Sequence, residues 1–196
     1  MVIKKAEFIK SYSFGYSGGD KREICVVGRS NVGKSSFINA LCNNKKLAKA
    51  SSTPGRTRLI NVFSINDGEF NLVDLPGYGY AQASKTDKAS WDELMGHYFE
   101  NANTLIQVIV LIDIRNTSQK DKEMLNYLYY YQIPFTVVAT KCDKITKSAL
   151  YGEIGKVSSH LMLGRDNVIP FSAVTKFGMD KVLDRLDQVL HNAQEE

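Results

Sequence analysis

The chain of 196 residues has little cysteine and no long apolar run, and each shortage excludes something. Its three cysteines, Cys25, Cys42 and Cys142, are odd in number and no two stand at CxxC spacing. That argues against a disulfide framework and against a zinc site. The longest apolar stretch, Leu105 to Ile112, is broken by Gln107 and falls far short of the roughly 18 residues of a membrane helix. The opening MVIKKAEFIK has neither the apolar core nor the small-residue cleavage site of a secretory leader. A cytoplasmic protein with no membrane partner is therefore expected. His97, His160 and His191 are scattered and form no triad or ligand pair. No internal repeat and no low-complexity segment appears. The acidic C-terminal end leaves no basic tail for nucleic acid.

What is present suits one globular domain. Hydrophobic residues make up 43% and charged residues 23%, and a chain of this length buries roughly 70% of its unfolded surface. The net charge of +4 is uneven, with ten Lys and Arg against three Asp and Glu in residues 1–50. Residues 1–22 read as an N-terminal arm with one short extended stretch, and residues 23–196 as the main domain. Buried strands are expected at Ile24 to Val27, Leu105 to Ile112, Phe135 to Ala139 and Val168 to Phe171. Leu59 to Ile65 and Phe70 to Val73 make a hairpin about Asp67-Gly68. Helical spacing appears from Phe37 to Leu41, near Trp91, after the Ser118-x-x-Asp121 start, from Leu150 to Leu161 and from Met179 to Leu190. The alternation predicts an α/β fold: a mostly parallel six-stranded sheet with one antiparallel edge strand and helices on both faces. Such sheets bind ligands beyond the carboxyl ends of their strands, here at residues 28–35, 74–80, 140–143 and 172–174.

The first of these loops runs Gly28-Arg29-Ser30-Asn31-Val32-Gly33-Lys34-Ser35 and matches G-x-x-x-x-G-K-[ST] between a strand and a helix. Glycines let backbone N–H groups converge on phosphate oxygens, and the helix beginning at Lys34 points its positive end at the anion. Lys34 adds charge for the β- and γ-phosphates, and the Ser35 hydroxyl is a hard ligand for Mg²⁺, with Ser36 next in the same turn. In Asp74-Leu75-Pro76-Gly77, Asp74 suits a water-mediated Mg²⁺ partner and Gly77 offers its N–H to a γ-phosphate. Thr140-Lys141-Cys142-Asp143 names the base. A carboxylate at Asp143 accepts from both N1–H and the 2-amino group of guanine, whereas adenine would leave it unpaired. The stem of Lys141 covers the base, and Ser172, Ala173 and Val174 bring backbone towards guanine O6. Residues 44–58, polar, basic and broken by Pro54-Gly55, read as a mobile loop.

GRSNVGKS, DLPG, TKCD and SA in this order resemble the translation-factor-like GTPases of Ras-type fold. GRSNVGKSSFINAL, STPGRT, DLPGYGYA and TKCDK resemble more closely the bacterial ribosome-assembly GTPases called EngB, YihA or YsxC, over nearly the whole chain. Arg58 departs from that pattern, where Gln is expected after PGRT. The resemblance implies a Ras-like GTPase domain, monomeric and cytoplasmic, that binds GTP and GDP with Mg²⁺ and assists assembly of the large ribosomal subunit through its rRNA and proteins. It implies that Lys34, Thr57 and Gly77 serve hydrolysis, that Ser35, Thr57 and Asp74 hold the metal, and that Pro54 and Gly55 flank the nucleotide. Thr53 competes with Thr57 for the role of switch threonine. The alternative reading is a nucleotide-gated ribosome-binding module with negligible hydrolysis.

Two further expectations follow from that likeness. Ras-type proteins place a water-orienting Gln after the DxxG glycine, and here Tyr78 stands there, so unstimulated hydrolysis should be slow. Related potassium-activated GTPases hold a monovalent cation at an Asn carbonyl of the phosphate loop, which makes Asn31 a candidate K⁺ ligand. Lys4, Lys5, Lys10, Lys21, Arg22, Lys45, Lys46 and Lys49 have no nucleotide role and form the candidate RNA footprint.

Overall fold

The computed structural model describes residues 1–13, 15–49, 59–79 and 85–193. Its centre is the uninterrupted apolar run Ile24-Cys25-Val26-Val27, which has no exposed surface. Buried on both faces, it forms β2 (Glu23–Gly28) in mid-sheet. Around it lie β1 (Ala6–Tyr12), β3 (Ile60–Ile65), β4 (Phe70–Asp74), β5 (Leu105–Asp113), β6 (Phe135–Thr140) and β7 (Val168–Pro170), in the order β1-β3-β4-β2-β5-β6-β7. All neighbouring pairs from β4 to β7 are parallel, while β3 is antiparallel to both β1 and β4.

Alternate strand residues feed two cores. One face of the sheet receives Phe37, Ile38 and Leu41 of α1 (Lys34–Leu41) and Val182, Leu186 and Leu190 of α5 (Met179–Asn192). The other receives Leu94, Met95 and Tyr98 of α2 (Lys85–Asn101), Met124, Leu125 and Leu128 of α3 (Gln119–Tyr130), and Val157 and Leu161 of α4 (Lys147–Leu161). Each such fully buried side chain contributes about 1.5–3 kcal/mol. The expected α/β class and the double helical cover are therefore found, and none of the described helices is long and apolar enough to cross a membrane.

The strand count changes. Among the described residues the sheet has seven strands rather than six, because the extended stretch expected in the arm pairs with β3. The antiparallel strand thereby moves inside and β1 becomes the edge. A shift of register between Phe8 and Lys10 and the exposed charges of Glu7 and Lys10 mark it as one. The hairpin forms as expected, with Asn66, Asp67 and Gly68 all at positive φ. The register puts the ends of β2, β4, β5, β6 and β7 on one side of the molecule, where the loops of interest emerge.

Candidate functional site

Between β2 and α1 the chain turns through a loop that only this sequence pattern permits. A Cβ on Gly28 would come 2.7 Å from Val32 Cγ1 and 3.0 Å from the Leu111 carbonyl, so the strand end must be glycine. Val32 is buried beneath the loop and Ser30, Asn31 and Ser36 are exposed above it. Gly33 caps α1 at positive φ, leaving Lys34 and Ser35 half-buried in the first helical turn. Lys34 Nζ forms an ion pair with Asp74 at the end of β4, and Asn61 Nδ2 donates to the other carboxylate oxygen at 3.2 Å. The Ser35 hydroxyl donates to the Lys49 carbonyl at 3.3 Å.

The segment after β4 lies directly on this loop. Tyr78 N–H donates to the Gly28 carbonyl at 3.2 Å, and Ser30 N–H donates to the Tyr78 carbonyl at 3.0 Å. A Cβ on Gly77 would meet the Gly28 oxygen and the Ser30 nitrogen at 3.3 Å, so the glycine permits the close approach. Tyr78, expected as a poor substitute for a water-orienting Gln, is buried with its hydroxyl on Asp121 of α3. Burial first, then the neighbouring carboxylate, raises the phenol well above its ordinary range, so it remains a protonated donor. Arg29 extends its guanidinium to the same Asp121 at 3.1 Å, so only its backbone faces the loop.

Beyond β6 and β7 a second cluster is built by side chains. Thr140 Oγ1 donates to the Val32 carbonyl at 2.8 Å, tying this cluster to the phosphate loop. Lys141, at positive φ, bridges the Asn31 carbonyl at 2.6 Å and Asp113 at 2.9 Å. That backbone carbonyl is thus occupied by an ammonium group. Ser172 Oγ donates to Asp143 at 2.7 Å and accepts from the N–H groups of Val174 and Thr175 at 3.2 and 3.1 Å. The Ser172 hydrogen bond holds the Asp143 carboxyl below its usual range, which keeps it an ionised acceptor. Ala173 is half-buried and Val174 is 76% exposed.

The structure therefore brings Gly28 to Ser36, Asp74, Gly77, Thr140 to Asp143 and Ser172 to Val174 to one end of the sheet. Pro54, Gly55, Thr57 and the competing Thr53 lie outside the described residues. Residues 44–49, expected to be part of a mobile loop, are pinned to α1: Asn39 donates to the carbonyls of Lys45 and Ala48 and accepts from Ala48 N–H. Sequence reasoning missed Asp113, whose role is visible only once Arg115 and Lys141 converge on it. It also placed Arg22 in the candidate RNA footprint, whereas the structure has Arg22 donating to the Leu190 carbonyl at 2.6 Å. Lys5 is similarly engaged with Glu7 and Asp67, whereas Lys45, Lys46 and Lys49 are exposed.

The donor set fits Mg²⁺. Ser35 and Asp74 offer a hydroxyl and a carboxylate, both hard oxygens, and among the described residues no cluster of His, Cys, Asp and Glu could hold a metal alone. Mg²⁺ characteristically takes one or two protein oxygens and completes its shell with substrate phosphates and water.

A phosphate-type loop tied to a guarded carboxylate defines a P-loop nucleotide-binding domain. Residues 23–141 match the family model described as a 50S ribosome-binding GTPase. The chain is 46% identical over 194 residues to the probable GTP-binding protein EngB of Clostridium kluyveri, covering 97% of this chain and 98% of that one. It is 44% identical over 195 residues to the same-named protein of Desulforamulus reducens, covering 97% and 95%. A crystal structure of a probable GTP-binding protein EngB shares the fold at TM-score 0.71 and 24% identity, covering 87% of this chain and 99% of that one. Era in complex with MgGDPNP and nucleotides 1506–1542 of 16S ribosomal RNA matches at TM-score 0.63 and 25% identity, covering 84% and 55%. The chain belongs to this GTPase family, among the proteins called EngB.

Proposed function

We propose that the protein is a GTP-hydrolysing switch that assists assembly of the large ribosomal subunit. The observation that carries the nucleotide part is the Ser172–Asp143 pair: an ionised acceptor held beside a phosphate loop, suited to the two donors of guanine. The loop from Arg29 to Gly33, in which the Ser30 N–H is already given to the Tyr78 carbonyl, the Lys34 ammonium and the hydroxyls of Ser35 and Ser36 bind the phosphates. Ser35, Asp74 and Thr57 hold Mg²⁺, which when bound neutralises charge on the β- and γ-phosphate oxygens. Gly77 meets the γ-phosphate through its N–H, Pro54 and Gly55 shape the facing loop, and Lys141, Thr140, Ser172, Ala173 and Val174 enclose the base. Tyr78, with its hydroxyl committed to Asp121, orients no water, which supports slow unstimulated turnover. The Asn31 side chain is the candidate ligand for K⁺, and faster turnover in potassium than in sodium is expected.

The ribosomal part draws support from the description of the family and from Lys45, Lys46 and Lys49, exposed beside the Ser35 contact with the Lys49 carbonyl. Cosedimentation with large ribosomal subunits, across a salt series, tests it. Binding should be stronger with a non-hydrolysable GTP analogue than with GDP and should fall steeply with salt. Equal binding with both nucleotides overturns the switch reading. Subunit-independent turnover as fast as the GAP-stimulated rate of Ras, about 5–20 s⁻¹, overturns the expectation of slow hydrolysis.

A further inference from the structure

Asp121 is fully buried, and three segments of the chain meet on its carboxylate. Oδ1 accepts from Arg29 Nε at 3.1 Å and from the Tyr78 hydroxyl at 2.9 Å. Oδ2 accepts from the N–H and the hydroxyl of Ser118 at 2.8 and 3.0 Å. Arg29 also donates to the Asn116 carbonyl. Capping α3 accounts for the Ser118 contacts alone. The other two reach back to the phosphate loop and to the residue after Gly77.

Tyr78 is consequently held at both ends. Its backbone is bonded to Gly28 and Ser30, and its phenol is bonded to α3. Its ring meets Trp91 edge-on with centroids 6.2 Å apart, and Trp91 Nε1 donates to the Pro76 carbonyl at 3.1 Å. Gly77 lies between these anchored residues, pressed on the phosphate loop. Hydrogen bonds to a buried carboxylate are the stronger kind, and losing one leaves a desolvated group unpaired.

We infer that Asp121 is a positioning residue that, through Tyr78 and Arg29, holds Gly77 in place for a γ-phosphate and thereby adds to triphosphate affinity without adding to diphosphate affinity. This rests on the nucleotide reading proposed above. A diphosphate is met by the phosphate loop itself, and only the third phosphate reaches Gly77. A group can shift the balance between two ligands only through contacts that differ between them. Loosening the clamp therefore weakens triphosphate binding alone.

Tyr78→Phe removes the hydroxyl and keeps the ring. Calorimetric titrations with GDP and with a non-hydrolysable GTP analogue give the two affinities. Emission from Trp91, the single tryptophan of the chain, reports on the clamp directly. The analogue should bind about tenfold more weakly to the variant, while GDP stays within about twofold. The change in Trp91 emission on adding the analogue should shrink. Asp121→Asn should act in the same direction and lower the melting temperature as well. Equal weakening for both nucleotides, tighter binding of the analogue, or a Tyr78→Phe protein indistinguishable from wild type overturns the clamp. Wild-type protein that binds neither nucleotide overturns the nucleotide reading and this inference with it.

Discussion

The loops after β6 and β7 and those after β2 and β4 close on the same end of the sheet, yet different contacts hold them. On the base side the link from Ser172 to Asp143 joins the loops of the neighbouring strands β7 and β6, and Thr140 ties that side to Val32 in the loop after β2. On the phosphate side Lys34, just after β2, and Asp74, at the end of its neighbour β4, make a similar link, but two further links leave the sheet: Tyr78 reaches Asp121 on α3, and Pro76 receives Trp91 from α2. With the function proposed above, the base side is a fixed template on which a wrong base would leave Asp143 unpaired. The phosphate side is joined to two helices, α2 and α3.

If that division is right, the largest effect comes from the charge at the centre of the phosphate side. Lys34→Ala should weaken GTP and GDP binding by about 10³-fold or more, since it removes charge-assisted bonds to the phosphates. Calorimetry on the folded variant checks this, and near-normal binding would remove the loop from the site. On the base side, Asp143→Asn should weaken GTP binding by about 10²-fold, because two donors of guanine lose an ionised acceptor. Xanthosine triphosphate should bind the variant better than it binds wild type, because the 2-oxo group pairs with an amide. No gain in that competition would break the template reading.

A smaller effect sharpens the contrast. Ser172→Ala leaves the Asp143 carboxylate in place but removes the hydrogen bond that orients it and holds its pKa down. One such bond contributes about 1 kcal/mol, so GDP and GTP should both bind roughly fivefold more weakly. Equal loss for the two nucleotides is the mark of the base side, whereas a clamp on the phosphate side distinguishes them. The variant should also lose affinity at a higher pH than wild type on acidification, because Asp143 then protonates sooner. A Ser172→Ala protein with unequal losses would place Ser172 on the wrong side of the division.

Much of this was legible in the residues because phosphate chemistry fixes spacing along the chain. Gly28, Gly33 and Lys34 are read from one loop, and Asp74, the ion-pair partner of Lys34, and Asp143 each come after an apolar run. The edge strand β1 was less legible, because its partner β3 lies some 50 residues away and its residues, AEFIKSY, do not alternate apolar with polar. Asp121 was read correctly as a local cap, but its bonds to Arg29 and Tyr78 span 92 and 43 residues and leave no periodic trace. Glycine content weakened the reading of α4, yet Gly155 lies inside that helix, where a Cβ would come 3.0 Å from the Arg165 guanidinium. Arg22 shows the limit of charge counting, since composition does not reveal which cations are already engaged by carbonyls.

The smallest expected effect falls on the residue that joins the two sides. Lys141 belongs to the base loop, yet it binds the Asn31 carbonyl in the phosphate loop, and Asp113 at the end of β5 holds it there. Burial alone would raise the Asp113 carboxyl, but hydrogen bonds from Arg115 and Lys141 outweigh it and hold it well below the ordinary range. A carboxyl depressed in the folded state stabilises the fold above its unfolded value of about 3.9 and loses that contribution as pH falls through the folded value. Asp113→Asn should therefore cost stability at neutral pH and little in strong acid. Thermal melts should show wild type a few degrees more stable than the variant near neutrality, with the gap closing on acidification. GDP and GTP affinities should fall together and by less than in Ser172→Ala, because Lys141 keeps its bond to Asn31. A gap in melting temperature that stays constant with pH would mean that Asp113 acts by packing rather than charge.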